Sequence, residues 1–350
     1  MKTTSAPGRI LSLDGKDYLF FGGTAYLGLP AHPAFQEILI GNIRRWGTAY
    51  GSSRHSNVQL AAYEAGEQYL AELTGAEKAL TVSSGMLAGK LVVESLAPLT
   101  DQFFHFPGVH PAIQAPGSLP FYVNGEINPL LQNNRAERLT LLTDGVASGE
   151  VMPVNLSDIN KISPEKTITL LVDESHSLGI LGEKGGGIFS TIKSPRVSRK
   201  IMVASLGKAM GLTGGMVAAD AEFMGHLEEL GSFVGAAGMS PAFVQTLADA
   251  EEIIEKQQER LKQNLDYLFG LLCVATSRSG DVARKQGTVY FHENYPLVYP
   301  KNEQVYQWLY DHGILITHFP YAVGALSRIV VAAHHTKEDL DRLAEVLNEI

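Results

Sequence analysis

Two strand-forming runs lie near the middle of the chain, and each is followed by a chemically active side chain. Of all features of the sequence, this pattern most limits the folds that the chain can adopt. The run LLV at 170–172 leads directly to Asp173 and His176, and the run IMVA at 201–204 leads to Lys208 among small and glycine residues. Burying a lysine there is costly unless it gains a partner or a covalent bond. Ligands bind at the carboxyl ends of strands in open α/β sheets. The pattern therefore predicts an α/β fold with a functional edge.

The remaining segments alternate between strand-like and helix-like patterns. We expect an N-terminal arm and helix over residues 1–46 and a large domain over 47–235 with a central, mostly parallel sheet. A smaller C-terminal α+β domain is expected over 236–350, introduced by one long helical run from Pro241 to Leu272. In the arm, Asp14-Gly15 predicts a hairpin turn.

Composition excludes several classes of protein. The chain has 350 residues, 45% of them hydrophobic, which is enough for a large core, and its net charge of −9 is spread without basic runs. We therefore expect no nucleic-acid or membrane partner. Cys273 is the only cysteine, and neither an apolar leader nor an apolar run of about 18 residues is visible. A cytoplasmic protein is the simplest interpretation.

The paired acid and lysine indicate a particular cofactor. Pyridoxal phosphate (PLP) needs an amine for its Schiff base, which Lys208 can supply, and a carboxylate that keeps its ring nitrogen protonated, which Asp173 can supply. The segment SSGM at 83–86 predicts a turn into a helix, whose free N–H groups can hold a phosphate. A Walker A loop is excluded, because only three residues separate Gly85 from Gly89 and Leu91 follows Lys90.

The motif Asp-x-x-His, followed by Ser-x-Gly-Lys-Ala-x-Gly, resembles the fold-type I PLP enzymes and specifically the α-oxoamine synthases. The resemblance implies four catalytic residues: Lys208, His110, Asp173 and His176. The cofactor-binding set that it implies comprises Ser84, Gly85, Met86, His110, Asp144, Ser148, Asp173, His176, Ser205 and Lys208. It further implies that Arg328 and Tyr26 bind the substrate and that the protein is a homodimer. We expect no metal site, because no third ligand stands at a suitable spacing from His105 and His110.

By the same resemblance, the expected reaction is the condensation of an amino acid with an acyl-CoA to give an aminoketone. The alternative is an aminotransferase, because Lys208, Asp173 and Arg328 would serve both reactions. A catalytically inert protein on the same fold is a further alternative, which the retention of these residues disfavours. The chain departs from the family pattern mainly at the entrance of the expected active site and on the side expected to bind the acyl group. The departures are at Thr24, Val58, Tyr63, Met86 and Ala237.

Overall fold

A computed structural model describes residues 1–272, 284–286, 289–302, 304–319 and 326–349. Cys273 lies outside these ranges. The run from Gly287 to Phe291 predicts a strand, and its first two residues also lie outside them. The chain divides into two compact units, one of residues 37–251 and one of residues 1–36 together with 252–350. The three segments expected from the sequence stay a prediction, with borders that differ from those of the two units.

The described residues form sixteen strands: β1 (Ile10–Leu13), β2 (Lys16–Phe21), β3 (Lys78–Val82), β4 (Gln102–His105), β5 (Leu119–Pro120), β6 (Tyr122–Val123), β7 (Glu126–Ile127), β8 (Glu137–Asp144), β9 (Lys166–Asp173), β10 (Val197–Ser205), β11 (Gly215–Ala219), β12 (Arg284–Gln286), β13 (Val289–Phe291), β14 (Leu297–Pro300), β15 (Ile314–Phe319) and β16 (Leu326–Val330). They also form ten α-helices: α1 (Pro33–Trp46), α2 (Ala61–Thr74), α3 (Gly85–Leu96), α4 (Pro129–Gln132), α5 (Ala221–Glu228), α6 (Gly231–Gly235), α7 (Pro241–Asp249), α8 (Glu251–Leu272), α9 (Gln304–Asp311) and α10 (Lys337–Asn348).

The larger unit is built on one seven-stranded sheet in the order β3-β11-β10-β9-β8-β4-β5. The five strands from β10 to β5 pair in parallel, and β11 runs antiparallel to both of its neighbours. The predicted central, mostly parallel sheet of an α/β fold is confirmed.

Apolar side chains of this sheet pack on both of its faces. Leu171 of β9 belongs to a core cluster that includes residues of α3 and α5, whereas Leu170 and Val172 belong to a second cluster. Successive side chains of a strand point to opposite faces, so a strand that is covered on both sides reads as a continuous hydrophobic run. The run at 170–172 therefore marks a central strand.

The smaller unit contains a second seven-stranded sheet in the order β1-β2-β15-β16-β14-β13-β12. Strands β1 and β2 form the predicted hairpin, and its turn residues Asp14 and Gly15 have φ angles of 50° and 77°. Both values lie in the left-handed region that a tight hairpin turn requires, which explains the Asp-Gly sequence. No helix in the described ranges is both long enough and apolar enough to cross a membrane.

The prediction of a single helical run from Pro241 to Leu272 is wrong in one respect. The run is two helices, α7 and α8, separated at Ala250, whose φ of −102° and ψ of 11° are not helical. Helix α7 packs on α2, where Gly66 lies so close to Val244 that a Cβ at Gly66 would be 2.2 Å from the Val244 carbonyl oxygen. Side-chain periodicity continues through such a break, so the sequence pattern does not reveal it.

The close approach of α2 and α7 predicts that Gly66→Ala destabilises the protein. Alanine normally favours a helix over glycine by up to about 1 kcal/mol, but here the added methyl group meets backbone atoms, and we expect a loss of about 1–3 kcal/mol. Gly41→Ala in α1 is the matched control, because Gly41 is exposed and a Cβ added there would meet no atom within 4 Å. Urea unfolding should show the two substitutions moving stability in opposite directions, and equal effects would contradict the packing.

Candidate active site

Adjacent parallel strands bring the predicted acids to one edge of the sheet in the larger unit. Asp144 ends β8 and is the register partner of Asp173, which ends β9. Asp173 is in turn opposite Val203 of β10, two residues before Ser205. Both carboxylates are buried, at 6% and 5% exposure. Parallel strands carry their carboxyl ends to the same edge, so Asp144, Asp173 and Ser205 lie together there.

Ser175 connects Asp173 to the segment that carries Lys208. Its N–H donates to Asp173 Oδ1 at 2.9 Å, and its hydroxyl oxygen accepts a hydrogen bond from the Ser205 N–H at 2.8 Å. The hydrogen bond from the Ser175 N–H fixes the orientation of the Asp173 carboxylate. Sequence reasoning did not select Ser175, although its position between Asp173 and His176 was a signal. His176 follows it and is half-buried.

His110 lies in the loop after β4, beside Asp173. The His110 N–H donates to Asp144 Oδ1 at 3.0 Å, and the ring Nδ1 accepts from the Ala112 N–H at 3.2 Å. Nδ1 is also 3.8 Å from Asp173 Oδ2. A nitrogen that accepts a hydrogen bond carries no proton, so this contact is proximity rather than a salt bridge. The ring is 45% exposed, and one face is therefore available to a ligand.

The turn before α3 forms a cradle of backbone groups. Ser84 caps the helix by accepting a hydrogen bond from the Leu87 N–H at 3.2 Å. A Cβ at Gly85 would be 2.8 Å from Ser205 Cα, and one at Gly215 would be 2.3 Å from Ser84 backbone atoms. In the described part of the chain, no acceptor is found for the N–H groups of Gly85 or Met86. Orphan N–H groups at a helix start attract anions, so the cradle suits a phosphate.

Lys208 is half-buried in the turn that follows β10. The turn is closed by backbone hydrogen bonds from Gly211 N to Lys208 O and from Leu206 N to Gly214 O, at 3.1 and 3.0 Å. Burial raises the pKa of Asp144 to about 7, and the negative charge of Asp173 adds to this, while the His110 N–H and the charge of Lys208 act in the opposite direction. Lys208 and Asp173 therefore lie within electrostatic reach of the same carboxyl group.

Glu174, next to Asp173, is fully buried and was not selected from the sequence. The Ser177 hydroxyl donates to its carboxylate, and the Ile188 N–H donates to Oε2 at 3.1 Å. A Cβ at Gly187 would be 2.7 Å from the same oxygen. This close contact explains why position 187, in the glycine-rich loop after β9, is a glycine. Burial raises the pKa of Glu174 to about 7 against the hydrogen bonds of Ser177 and Ile188. Glu174 thus fixes the glycine-rich loop that follows β9.

The two predicted substrate-binding residues lie in the smaller unit. Arg328 is on β16, and its buried Nε has no hydrogen-bond partner among the described residues. Its guanidinium carbon is 5.3 Å from the centre of the Phe319 ring. Tyr26 is fully buried; burial raises its pKa, and the charge of Arg328 opposes that rise. An unpartnered guanidinium N–H beside aromatic rings is a receptor for an anionic group.

Two of the predicted cofactor-binding residues lie at exposed positions. Met86, in the first turn of α3, is 47% exposed, and Ser148 is exposed on a turn after β8.

A cavity of about 540 Å³ elsewhere in the larger unit is lined by Tyr50, Arg54, Tyr63 and neighbours, but contains none of the predicted site residues. There Arg54 is held by Glu67 at 2.7 Å and lies over the Tyr63 ring.

Comparisons with known proteins agree with this geometry. Residues 127–347 match the family "Aminotransferase class I and II". The 8-amino-7-oxononanoate synthase of Azoarcus sp. (strain BH72) is 30% identical over 97% of this chain and 89% of its own length. The enzyme of the same name from Klebsiella pneumoniae is 27% identical over 99% of this chain and 93% of its own.

Solved structures give the fold. A serine palmitoyltransferase from Sphingomonas wittichii superposes with a TM-score of 0.73 at 18% identity, covering 97% of this chain and 88% of that one. The 8-amino-7-oxononanoate synthase of Francisella tularensis superposes with a TM-score of 0.68 at 22% identity, covering 95% and 97%. The protein is thus a PLP-dependent transferase of fold type I, as predicted.

Within that class, the chain belongs to the aminotransferase class I and II family and to its α-oxoamine synthase branch. The residues present fit PLP on three observations: the N–H groups of Gly85 and Met86, for which the described residues offer no acceptor, the buried carboxylate of Asp173, and Lys208 near these acids.

The raised pKa of Glu174 predicts a pH-dependent stability. Between the ordinary value of 4.5 and about 7, the folded protein holds a proton that the unfolded chain has released, so stability falls as the pH rises through this window. Glu174→Gln removes the ionisation, and wild type should lose up to about 3 kcal/mol relative to this variant between pH 5 and pH 8. Urea unfolding of the cofactor-free protein at both values measures the difference.

The control for this comparison is Glu229→Gln at an exposed position. A Glu174→Gln protein whose stability follows the same pH curve as wild type would show that Glu174 is ionised at no cost.

Proposed function

We propose that the protein is a PLP-dependent acyltransferase that condenses an amino acid with an acyl-CoA to give an aminoketone, as the name of its 8-amino-7-oxononanoate synthase relatives suggests. The observation that carries the proposal is the meeting of Asp173, His110 and the Ser84-Gly85 cradle at the strand ends that lead to Lys208, in a chain 30% identical to such an enzyme.

Each residue of the larger unit has a proposed task. The N–H groups of the Ser84–Met86 turn hold the phosphate, and Asp173 keeps a proton on the ring nitrogen. By resemblance to the family, His110 would pack on the cofactor ring, His176 would hold its 3′-oxygen, and Ser148 and Ser205 would contact the cofactor. PLP, when bound, supplies an electron sink that makes the Cα–H of an amino acid acidic.

Lys208 has two tasks in this proposal. Its amine would hold the cofactor, and once an amino acid has taken its place there, the same amine would serve as a base for the Cα proton of the substrate. The neighbouring acids Asp144 and Asp173 suit this role, because a negative environment supports an ammonium that has taken up the proton. Arg328, with Tyr26 near it, is proposed to bind the carboxylate of the amino acid.

Transamination is the second candidate, because it uses the same base and the same carboxylate receptor and because the family name covers it. The two reactions diverge after Cα deprotonation. In condensation, Cα would form a bond to the acyl carbon of the thioester, CoA would leave as a thiol, and the amino acid's carboxylate would leave as CO₂ to give the aminoketone. In transamination, water would instead cleave the Cα–N bond, so that the nitrogen stays on the cofactor and the amino acid leaves as a keto acid.

A homodimer in the cytoplasm completes the proposal. Exposed apolar side chains of the larger unit, Val58 at 57% and Val234 at 39%, are available to a second copy, and the small residues of 235–238 allow close approach. Light scattering of the purified protein distinguishes a dimer from a monomer.

The proposal predicts that the PLP-loaded protein releases free CoA thiol when it is mixed with an amino acid and an acyl-CoA. Glycine, alanine and serine should each be tested with several acyl-CoA chain lengths, because the departures at Val58 and Tyr63 leave the acyl chain open. Thiol release should require both substrates, and Lys208→Ala should abolish it together with the visible absorbance of lysine-bound PLP.

The transamination alternative gives a different result in the same experiment. Conversion of the cofactor to pyridoxamine phosphate by the amino acid alone, reversed by a keto acid and accompanied by no thiol, would replace condensation with transamination. A wild-type protein that gains no visible absorbance with PLP would overturn both.

Substitution of Arg328 tests the carboxylate receptor. Losing a charge-assisted hydrogen bond of roughly 1.5–3 kcal/mol should raise KM for the amino acid by about 10- to 100-fold in Arg328→Ala, with less change in the affinity for PLP. Arg342→Ala is the matched control, because Arg342 is in the same unit and pairs with Glu345 at 3.5 Å on the surface. An Arg328→Ala enzyme with normal KM would remove this residue from the substrate site.

A further inference from the structure

The carboxyl group of Asp144 contacts the main chain of the loop that carries His110. The loop leaves β4 and is joined to β8 by the hydrogen bond from Phe106 N to Leu142 O at 2.9 Å. Further along the loop, the His110 N–H donates to Asp144 Oδ1 at 3.0 Å. The acid is 6% exposed, so this hydrogen bond is shielded from water. Asp144, at the end of β8, therefore adds a side-chain hydrogen bond to the backbone hydrogen bonds that join β8 to β4 and its following loop.

The position of the His110 ring depends on this loop. Gly108 has a φ of 75°, so the chain turns sharply just before His110. The ring then bonds to its own loop through Nδ1 and the Ala112 N–H, and it sits 3.8 Å from Asp173 Oδ2. The ring therefore follows the position of its loop. The main-chain hydrogen bond at His110 ties that loop to the sheet edge at the residue that carries the ring.

The electrostatics favour a role through the hydrogen bond rather than through charge. Burial and the charge of Asp173 raise the pKa of Asp144 to about 7, so its ionised form is penalised at neutral pH. An oxygen that accepts from a main-chain N–H needs no full charge, and an amide oxygen can replace it. Asparagine at this position keeps the acceptor and the shape, whereas alanine removes both.

We propose that Asp144 is a positioning residue for His110: its Oδ1 fixes the 106–112 loop so that the His110 ring stays beside Asp173. The consequence for catalysis rests on the proposed function, because His110 serves the reaction only if a PLP ring lies under it. The placement of the ring itself does not depend on any reaction. This differs from the direct contact with the cofactor that the family resemblance implies for Asp144.

The experiment compares four variants by NMR of ¹³C-labelled histidine in protein with and without PLP. His110→Gln assigns the His110 ring signal by its loss. We expect Asp144→Asn to keep the wild-type His110 signal and Asp144→Ala to move it toward the position of an unstructured histidine. Lys90→Met is the matched control, because Lys90 Nζ contacts the same loop at Pro111 O, at 2.6 Å, without touching His110. It should leave the signal in place.

Titration with PLP provides the second readout. Asp144→Ala should weaken PLP binding about tenfold, as expected for the loss of one hydrogen bond, and Asp144→Asn should stay within about threefold of wild type. In the His110→Gln background, Asp144→Ala should have no further effect, because the residue that it positions is gone. If Asp144→Ala fails to fold, Asp144→Ser carries the test, since its shorter oxygen does not reach the loop.

Two results would overturn the inference. One is an unchanged His110 signal in Asp144→Ala. The other is an Asp144→Asn protein that binds PLP as poorly as Asp144→Ala while its His110 signal stays in place, which would assign Asp144 a direct role through charge. A His110 signal that moves as expected in a protein that binds no PLP would overturn the proposed function and leave this inference standing.

Discussion

The parallel pairing of β8, β9 and β10 is the constraint on which the rest of the site depends. Because Asp144 is in register with Asp173, and Asp173 with Val203, three strand ends reach one edge of the sheet within a few residues of one another. The turns that leave this edge are short and tied by hydrogen bonds such as Ser205 N to Ser175 Oγ. The sheet thus decides which side chains meet.

The same pairing concentrates negative charge. Asp144, Asp173 and Glu174 lie on two neighbouring strand ends, and burial raises the pKa of Asp144 and of Glu174 to about 7. Buried carboxyls of this kind persist only where hydrogen bonds or cations compensate them. Here the main-chain N–H groups of His110 and Ile188 and the charge of Lys208 do so in part. A site of this character is suited to a cationic ring nitrogen.

Most of the fold was predictable because its signals are local. A continuous apolar run marks a strand covered on both faces, and an Asp-Gly pair marks a tight hairpin turn, so β9 and the β1–β2 hairpin follow from the sequence. The break between α7 and α8 was not predictable. Helix α7 packs through Val244 on Gly66 of α2, and no local pattern indicates a partner so distant in sequence.

The sequence by itself indicated the class of chemistry, because Lys208 and Asp173 follow two strand-like runs and the motifs that contain them and His176 resemble those of a PLP-dependent family. Only the tertiary structure decided how these groups are held. Ser175 bridges Asp173 to the Lys208 turn, Glu174 anchors the glycine-rich loop, and the contact of Asp144 with the main chain of His110 adds a second tie. Apart from the local hydrogen bond between Ser175 and Asp173, these join a side chain to a backbone group far away in sequence. Residue identity alone does not specify such a partner, since any chain that passes nearby offers the same N–H group.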